Sequence, residues 1–183
     1  MLTTLSSFSS SVDTATRSQA FNALLGLIVS GCFEHPKGAN KPNMTGQIDQ
    51  ADWRKTPIPF PSATAYEIVR RGVPSRALIA LGDYLGIGNG TMADLVGLNR
   101  SVARRKAASD QVLPIHAAES VLRLLELQCL AEDTFDTLDA TFAWLRCGHP
   151  ILDGEAPLER AKSAYGSEQV KEILVSLKYG GIV

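Results

Sequence analysis

The 183-residue sequence is poor in several things, and each shortage removes a class of function. It has three cysteines, Cys32, Cys129 and Cys147. They are few, odd in number and far apart, so they form neither a disulfide framework nor a zinc pattern, and a reducing cytoplasm is the natural setting. Its three histidines, His35, His116 and His149, include no metal spacing of the His-Glu-x-x-His kind. Its formal net charge is only −1, so no global field draws the chain to nucleic acid, and any such affinity must come from a local basic patch. No run reaches the roughly 20 apolar residues that a membrane span needs.

What is present is an ordinary globular composition, 45% apolar, enough for a buried core. One apolar run, FNALLGLIVSGCF over residues 21–33, ends in Val29-Ser30-Gly31-Cys32 and looks like a lipoprotein processing site. Its flanks argue otherwise. Arg17 is its only positive charge, Asp13 opposes it, and a Ser/Thr-rich lead precedes both. We read residues 1–16 as a polar disordered lead and 17–33 as one apolar helix that must pack on something. Residues 35–61 hold five of the nine prolines and read as an extended linker. Trp53 within it reads as a loose packing contact more than as a binding anchor.

From Ser62 onward no period of two appears and helix punctuation recurs, so the fold class is all-α. Thr64 with Glu67 predicts a capping box, and Gly72 a stop. Pro74 suits a first helical position, with Leu78, Ile79, Leu81 and Leu85 as a buried stripe up to Gly86. Thr91 with Asp94 predicts a second capping box, leading to Met92, Leu95 and Val96. A helix bearing Arg100, Arg104, Arg105 and Lys106 follows, then a long one through Val121–Leu130. Another covers residues 134–147, with Phe135, Leu138, Phe142 and Leu145 on one face. Two short helices, 157–165 and 168–178, separated by Gly166 and Ser167, close the chain.

Within this pattern, residues 89–106 (NGTMADLVGLNRSVARRK) have the requirements of a helix-turn-helix. The helices cross closely where Ala93 is small, the turn needs the positive φ that Gly97 allows, and Leu98 is the apolar residue after the turn. The second helix then carries four positive charges in seven residues. Residues early in a recognition helix reach base edges, so Asn99, Arg100, Ser101 and Arg104 are the candidate readers. Asn matches adenine and Arg matches guanine. Arg105 and Lys106, further along, suit phosphates.

No enzyme emerges. Cys147 and His149 lie two apart, without a third group to orient them, and His149-Pro150 fits a helix stop. The glycine-rich stretch Gly82 to Gly90 follows a helical pattern and not a strand, so its glycines read as turn residues and not as a phosphate cradle. No catalytic residue, cofactor or metal is expected.

From about Tyr66 to the end the chain resembles the Xre/MbcA/ParS antitoxins. The residues that carry the resemblance are Gly72-Val73-Pro74, Leu95-Val96-Gly97-Leu98, Ala103-Arg104-Arg105-Lys106, Glu119-Ser120 and Leu122-Arg123-Leu124. More specific are Ala143-Trp144-Leu145, His149-Pro150-Ile151-Leu152-Asp153-Gly154, Ala156-Pro157-Leu158, Tyr165-Gly166, Val170 and Leu177-Lys178-Tyr179-Gly180-Gly181. The resemblance implies an Xre-like helix-turn-helix domain (63–132) and a small helical toxin-binding domain (133–183); the N-terminal extension and linker (1–62) lie outside it. It implies a cytoplasmic homodimer whose partners are operator DNA and a cognate toxin of the RES type, a NAD-consuming enzyme related to ADP-ribosyltransferases. The alternative is a stand-alone helix-turn-helix regulator.

Trp144, Arg146, Arg160, Lys178, Tyr179, Gly180 and Gly181 are the candidate toxin contacts. Residues 179–183 are expected as a flexible apolar tail beyond the last helix, able to insert into a concave surface. Trp144, near a Gly-Pro break, also suits the core. The pattern departs from the family at two points, the N-terminal extension of about sixty residues and the turn. Ser101-Val102 stands four residues after Gly97, where the family has Thr-Leu after five. Either the turn is one residue shorter or Ala103 takes the buried slot, and a one-residue shift turns a helix by about 100°.

Overall fold

The computed structural model describes residues 19, 21–28 and 60–180, and these are helical with no strand among them. The Ser/Thr-rich lead, the processing-site look-alike at residues 29–32, the proline-rich linker and the last three residues lie outside the described residues. Eight α-helices follow residue 60: α1 (Ser62–Arg71), α2 (Ala77–Leu85), α3 (Asn89–Leu95), α4 (Arg100–Ala108), α5 (Ile115–Thr134), α6 (Leu138–Arg146), α7 (Pro157–Arg160) and α8 (Ala164–Tyr179). A 3₁₀ turn, Pro150–Leu152, joins α6 to α7.

The 20-residue α5 is the spine. It packs against α1 and α2 on one side of the molecule and against α6 and α8 on the other. Ala117, Val121, Leu124, Leu125 and Leu127 on it are fully buried. Arg123 reinforces the second side, its guanidinium donating to the carbonyls of Ala161 (3.2 Å) and Lys162 (3.3 Å).

The apolar N-terminal run does pack. Residues 21–28 are helical, and Phe21, Leu24 and Ile28, spaced by three and four, are buried in the same core. The Phe21 ring meets Tyr84 of α2 at 5.1 Å. Burying Leu24 and Ile28 stabilises this attachment by about 1.5–3 kcal/mol each. The extension is therefore not wholly separate from the helical body.

Several expected boundaries move, for identifiable reasons. Neither capping box forms. α1 starts two residues before Thr64, behind Pro61, and Glu67 turns to Arg70 (3.0 Å) and Arg71 (3.5 Å) in place of the helix start. α3 starts at Asn89 behind Gly88, with Thr91 already inside it. Pro74 does not open α2. Its backbone pairs with Val112 in an isolated antiparallel bridge, flanked by Leu113 N–H to Val73 O and Ser75 N–H to Gln111 O, both 2.8 Å.

In α2, Leu78, Leu81 and Leu85 are buried as expected, whereas Ile79 is 40% exposed. Gly82 and Gly90 are helical and not turn residues, while Gly86 at φ +62° is the left-handed cap of α2. α6 starts at Leu138, four residues later than expected, because Thr137 Oγ1 accepts from Ala140 N–H (3.2 Å) and Phe135 closes α5.

The last correction is the largest. Gly166 and Ser167 do not separate two helices; both are buried in the first turns of α8. Ser163 caps that helix, accepting from Gly166 N–H at 3.0 Å. A Cβ on residue 166 would stand 2.0 Å from the Arg160 carbonyl oxygen, so this glycine serves close approach and not a break.

Candidate nucleic-acid and partner interfaces

α3 and α4 meet as a helix-turn-helix requires. Ala93 is buried (1% exposed), Gly97 has φ +71°, and Leu98 is buried after the turn. The turn closes on its own backbone, Leu98 N–H to Ala93 O at 2.9 Å and Gly97 N–H to Asp94 O at 3.2 Å. Asn99 Oδ1 caps α4 by accepting from Ser101 N–H at 2.9 Å.

The register question resolves in favour of Ala103. It is buried, Val102 is half-buried and Ser101 is exposed. That phase places Ser101, Arg104, Arg105 and Ala108 on one exposed face, at the i, i+3, i+4, i+7 spacing of a single helical stripe.

The six predicted DNA contacts therefore divide. Arg104 and Arg105 project from the exposed stripe, with no side-chain hydrogen bond or ion pair among the described residues, and the Ser101 hydroxyl shares their face. Asn99 has its side-chain oxygen engaged in the cap, leaving its amide. Arg100 turns back to Asp94 (2.6 Å), and this hydrogen bond holds the Asp94 carboxyl below its usual range and the Arg100 pKa above its own. Lys106 leans off the stripe, its Nζ 3.4 Å from both Gln111 Oε1 and the Val112 carbonyl.

The candidate toxin contacts divide in the same way. Trp144 is half-buried between Phe135 (5.6 Å) and His149 (5.7 Å). Arg146 reaches out of α6 to the end of α2, donating to the Leu85 and Gly86 carbonyls, the latter at 2.9 Å, with its guanidinium 4.7 Å over the Phe142 ring. Those carbonyls carry the negative end of the α2 dipole, which suits a cation. Arg160 is held by Glu155 (3.1 Å) and Gln169 (2.9 Å). Lys178 pairs with Asp133 of α5, a contact that raises its pKa.

Tyr179 is 75% exposed and ends α8, and Gly180 (φ +70°) caps it by donating to Ser176 O. These two residues close a helix and do not open a tail; Gly181 lies outside the described residues.

Sequence reasoning gave Tyr165 only a place in a signature, and passed over Glu168 and Glu172. Because α8 is continuous from Ala164, Tyr165 (88% exposed), Glu168, Glu172 and Tyr179 share one solvent face. Beneath its first half, Glu155, Glu159, Arg160, Lys162, Tyr165 and Glu172 are among the residues lining a groove of about 640 Å³. The signal was the three-to-seven spacing from Tyr165 to Tyr179, hidden by the break placed at Gly166.

A helix-turn-helix joined through a common spine to a second helical module defines a two-module helical regulator. Residues 64–126 match the antitoxin Xre-like helix-turn-helix domain family, and residues 130–180 match the antitoxin Xre/MbcA/ParS C-terminal toxin-binding domain family. The two matches follow one another and together cover more than half of the sequence: the chain belongs to the Xre-type antitoxins of toxin–antitoxin systems. No curated protein matches the sequence. Among the described residues no helix is long and apolar enough to cross a membrane, and no group of His, Cys, Asp and Glu is placed to hold a metal ion.

Proposed function

We propose that this antitoxin binds and neutralises a RES-type, NAD-consuming toxin through residues 133–183 and represses its own operon through α4. It acts as a cytoplasmic homodimer, each copy presenting one α4 to one half-site of the operator. The observation that supports the DNA half best is the unengaged pair Arg104 and Arg105. In a chain of net charge −1, two adjacent exposed guanidiniums in front of a closed helix-turn-helix form a local phosphate-binding patch. The toxin half is supported by the match of residues 130–180 to a toxin-binding domain.

The test has two arms. Cells making the RES-type toxin encoded beside this gene should grow again when the chain is co-expressed, and the purified chain should retard a fragment carrying the operon's promoter. A chain that retards the promoter but neither binds nor protects against the toxin would be a stand-alone regulator, and the toxin half would be wrong. Truncation after Gly148 is a poor test. It removes Val170, Ile173 and Leu174 from the core and Ala161 from above Arg123, so it disturbs folding as well as binding.

A further inference from the structure

The structure assigns the toxin contact to one surface: we propose that the exposed face of α8, anchored by Tyr165 and Tyr179 with Glu168 and Glu172 between them, docks on a positively charged face of the cognate toxin. This rests on the toxin-binding function proposed above and adds which side chains bind and what the partner must offer.

At about 100° per residue, Tyr165, Glu172 and Tyr179 fall on one line along the helix, with Glu168 beside it. The two tyrosines are 88% and 75% exposed, and stand roughly 21 Å apart at 1.5 Å per residue. Val175, 44% exposed, flanks the same strip. Rigid aromatic side chains presented this openly are the groups that dominate binding energy once a partner desolvates them.

The charge on the face selects the occupant. The cations of the adjoining groove are already engaged, Arg160 by Glu155 and Lys162 by Glu159. Lys171 is shared between Glu126 (2.8 Å) and Glu168 (2.9 Å), and Glu172 has no ion-pair partner among the described residues. The face is therefore net negative.

A second copy of the chain fits poorly. A two-fold antiparallel pairing that set Tyr165 against Tyr179 would place Glu172 against its own symmetry mate, and like charges there repel. DNA is repelled outright. A cationic partner is attracted, and an enzyme that binds the pyrophosphate of a dinucleotide needs positive potential in its cleft, which Arg or Lys side chains or helix N-termini supply.

The experiment uses the full chain and the neighbouring toxin, purified as a catalytically inactive variant, with affinity and association rate measured at low and physiological salt. Tyr165→Ala should weaken binding at least about tenfold. Glu168→Lys with Glu172→Lys should slow association at least about tenfold at low salt and reverse its salt dependence, so that added salt speeds it. Glu168→Gln with Glu172→Gln, which keeps size and helix propensity, should flatten the same dependence. Promoter binding, carried by α4, should be unchanged in all three and reports that they are folded. Wild-type protein that binds the toxin, with variants that bind equally well, overturns this surface and leaves the toxin-binding function standing. Wild-type protein that does not bind the toxin overturns both.

Discussion

Replacing Arg104 and Arg105 together by alanine separates a DNA-contacting role from a structural one. Both side chains are exposed and neither has an ion pair among the described residues, so their removal leaves no buried group unpaired and should change folding stability by no more than about 0.5 kcal/mol. Alanine also has the higher helix propensity, which offsets part of any loss. The effect on DNA should be large by comparison. Each phosphate that is no longer neutralised lowers the slope of log K against log salt by about 0.9, so two per protomer lower it by ~1.8. Over a fourfold salt increase, from ~50 to ~200 mM, wild-type protein should then lose about twelvefold more affinity per protomer than the variant. Titrating the operon's promoter at four or five salt concentrations, by fluorescence anisotropy, measures both slopes. Equal slopes, with equal affinity at low salt, would show that this stripe does not face phosphate, and the proposed DNA-contacting role of α4 would have to be abandoned. Arg100→Ala should behave differently. It releases Asp94 as an unneutralised carboxylate beside the turn, so any affinity the guanidinium supplied disappears while new repulsion is added.

Three other perturbations follow from the fold. Gly166→Ala should cost about 1–3 kcal/mol, since its methyl group meets backbone at 2.0 Å, whereas Gly26→Ala, in an exposed helical position with nothing within 4 Å, should gain up to about 1 kcal/mol; urea unfolding of both variants distinguishes them. The Asp94 pKa is depressed by its hydrogen bond to Arg100, so the stabilisation from this pair is complete above the ordinary carboxylate pKa of ~3.9 and fades as pH falls through the lower folded value. The melting-temperature difference between wild type and Asp94→Asn should accordingly shrink toward acid, and a difference independent of pH would contradict the pairing. Burial, helped by the Glu132 and Glu126 carboxylates, pushes the Cys129 thiol up, so at neutral pH iodoacetamide should label exposed Cys147 and spare Cys129, as mass mapping would show. Comparable labelling of the two would mean that α5 opens readily.

The all-helical class was legible because period and punctuation agree over most of the described chain, and Ala93, Gly97 and Leu98 fall where helix-turn-helix geometry needs them. The caps were misread for a local reason. A Thr-x-x-Glu or Thr-x-x-Asp spacing does not reveal that the acidic residue has nearer cations, Arg70 and Arg71 for Glu67 and Arg100 for Asp94. Gly166 was misread because a glycine that lets two backbones touch and a glycine that ends a helix are the same letter. That error divided α8 and hid the tyrosine–glutamate face. The sequence drew attention to the basic residues 100–106, but not to which of them stay unengaged. Their freedom depends on Asp94, Gln111 and the carbonyl of Val112, which are up to six residues away and are brought close only by the turns.

The unbroken α5 has a geometric consequence. Its first turn lies beneath the recognition turn, where a Cβ on Gly97 would be 3.9 Å from the His116 ring, and its last turn carries Asp133, which holds Lys178 near the end of α8. One rod about 30 Å long thus fixes the angle between the surface proposed to face the operator and the surface proposed to face the toxin. Arg146, bridging α6 to the end of α2, braces that angle from the side. Toxin bound to a promoter-bound antitoxin would therefore be aimed in a set direction along the duplex, like a sight on a fixed mount. Chimeras that exchange one module between antitoxins would have to keep α5 in helical phase, because one inserted residue would swing the toxin about 100° around the rod.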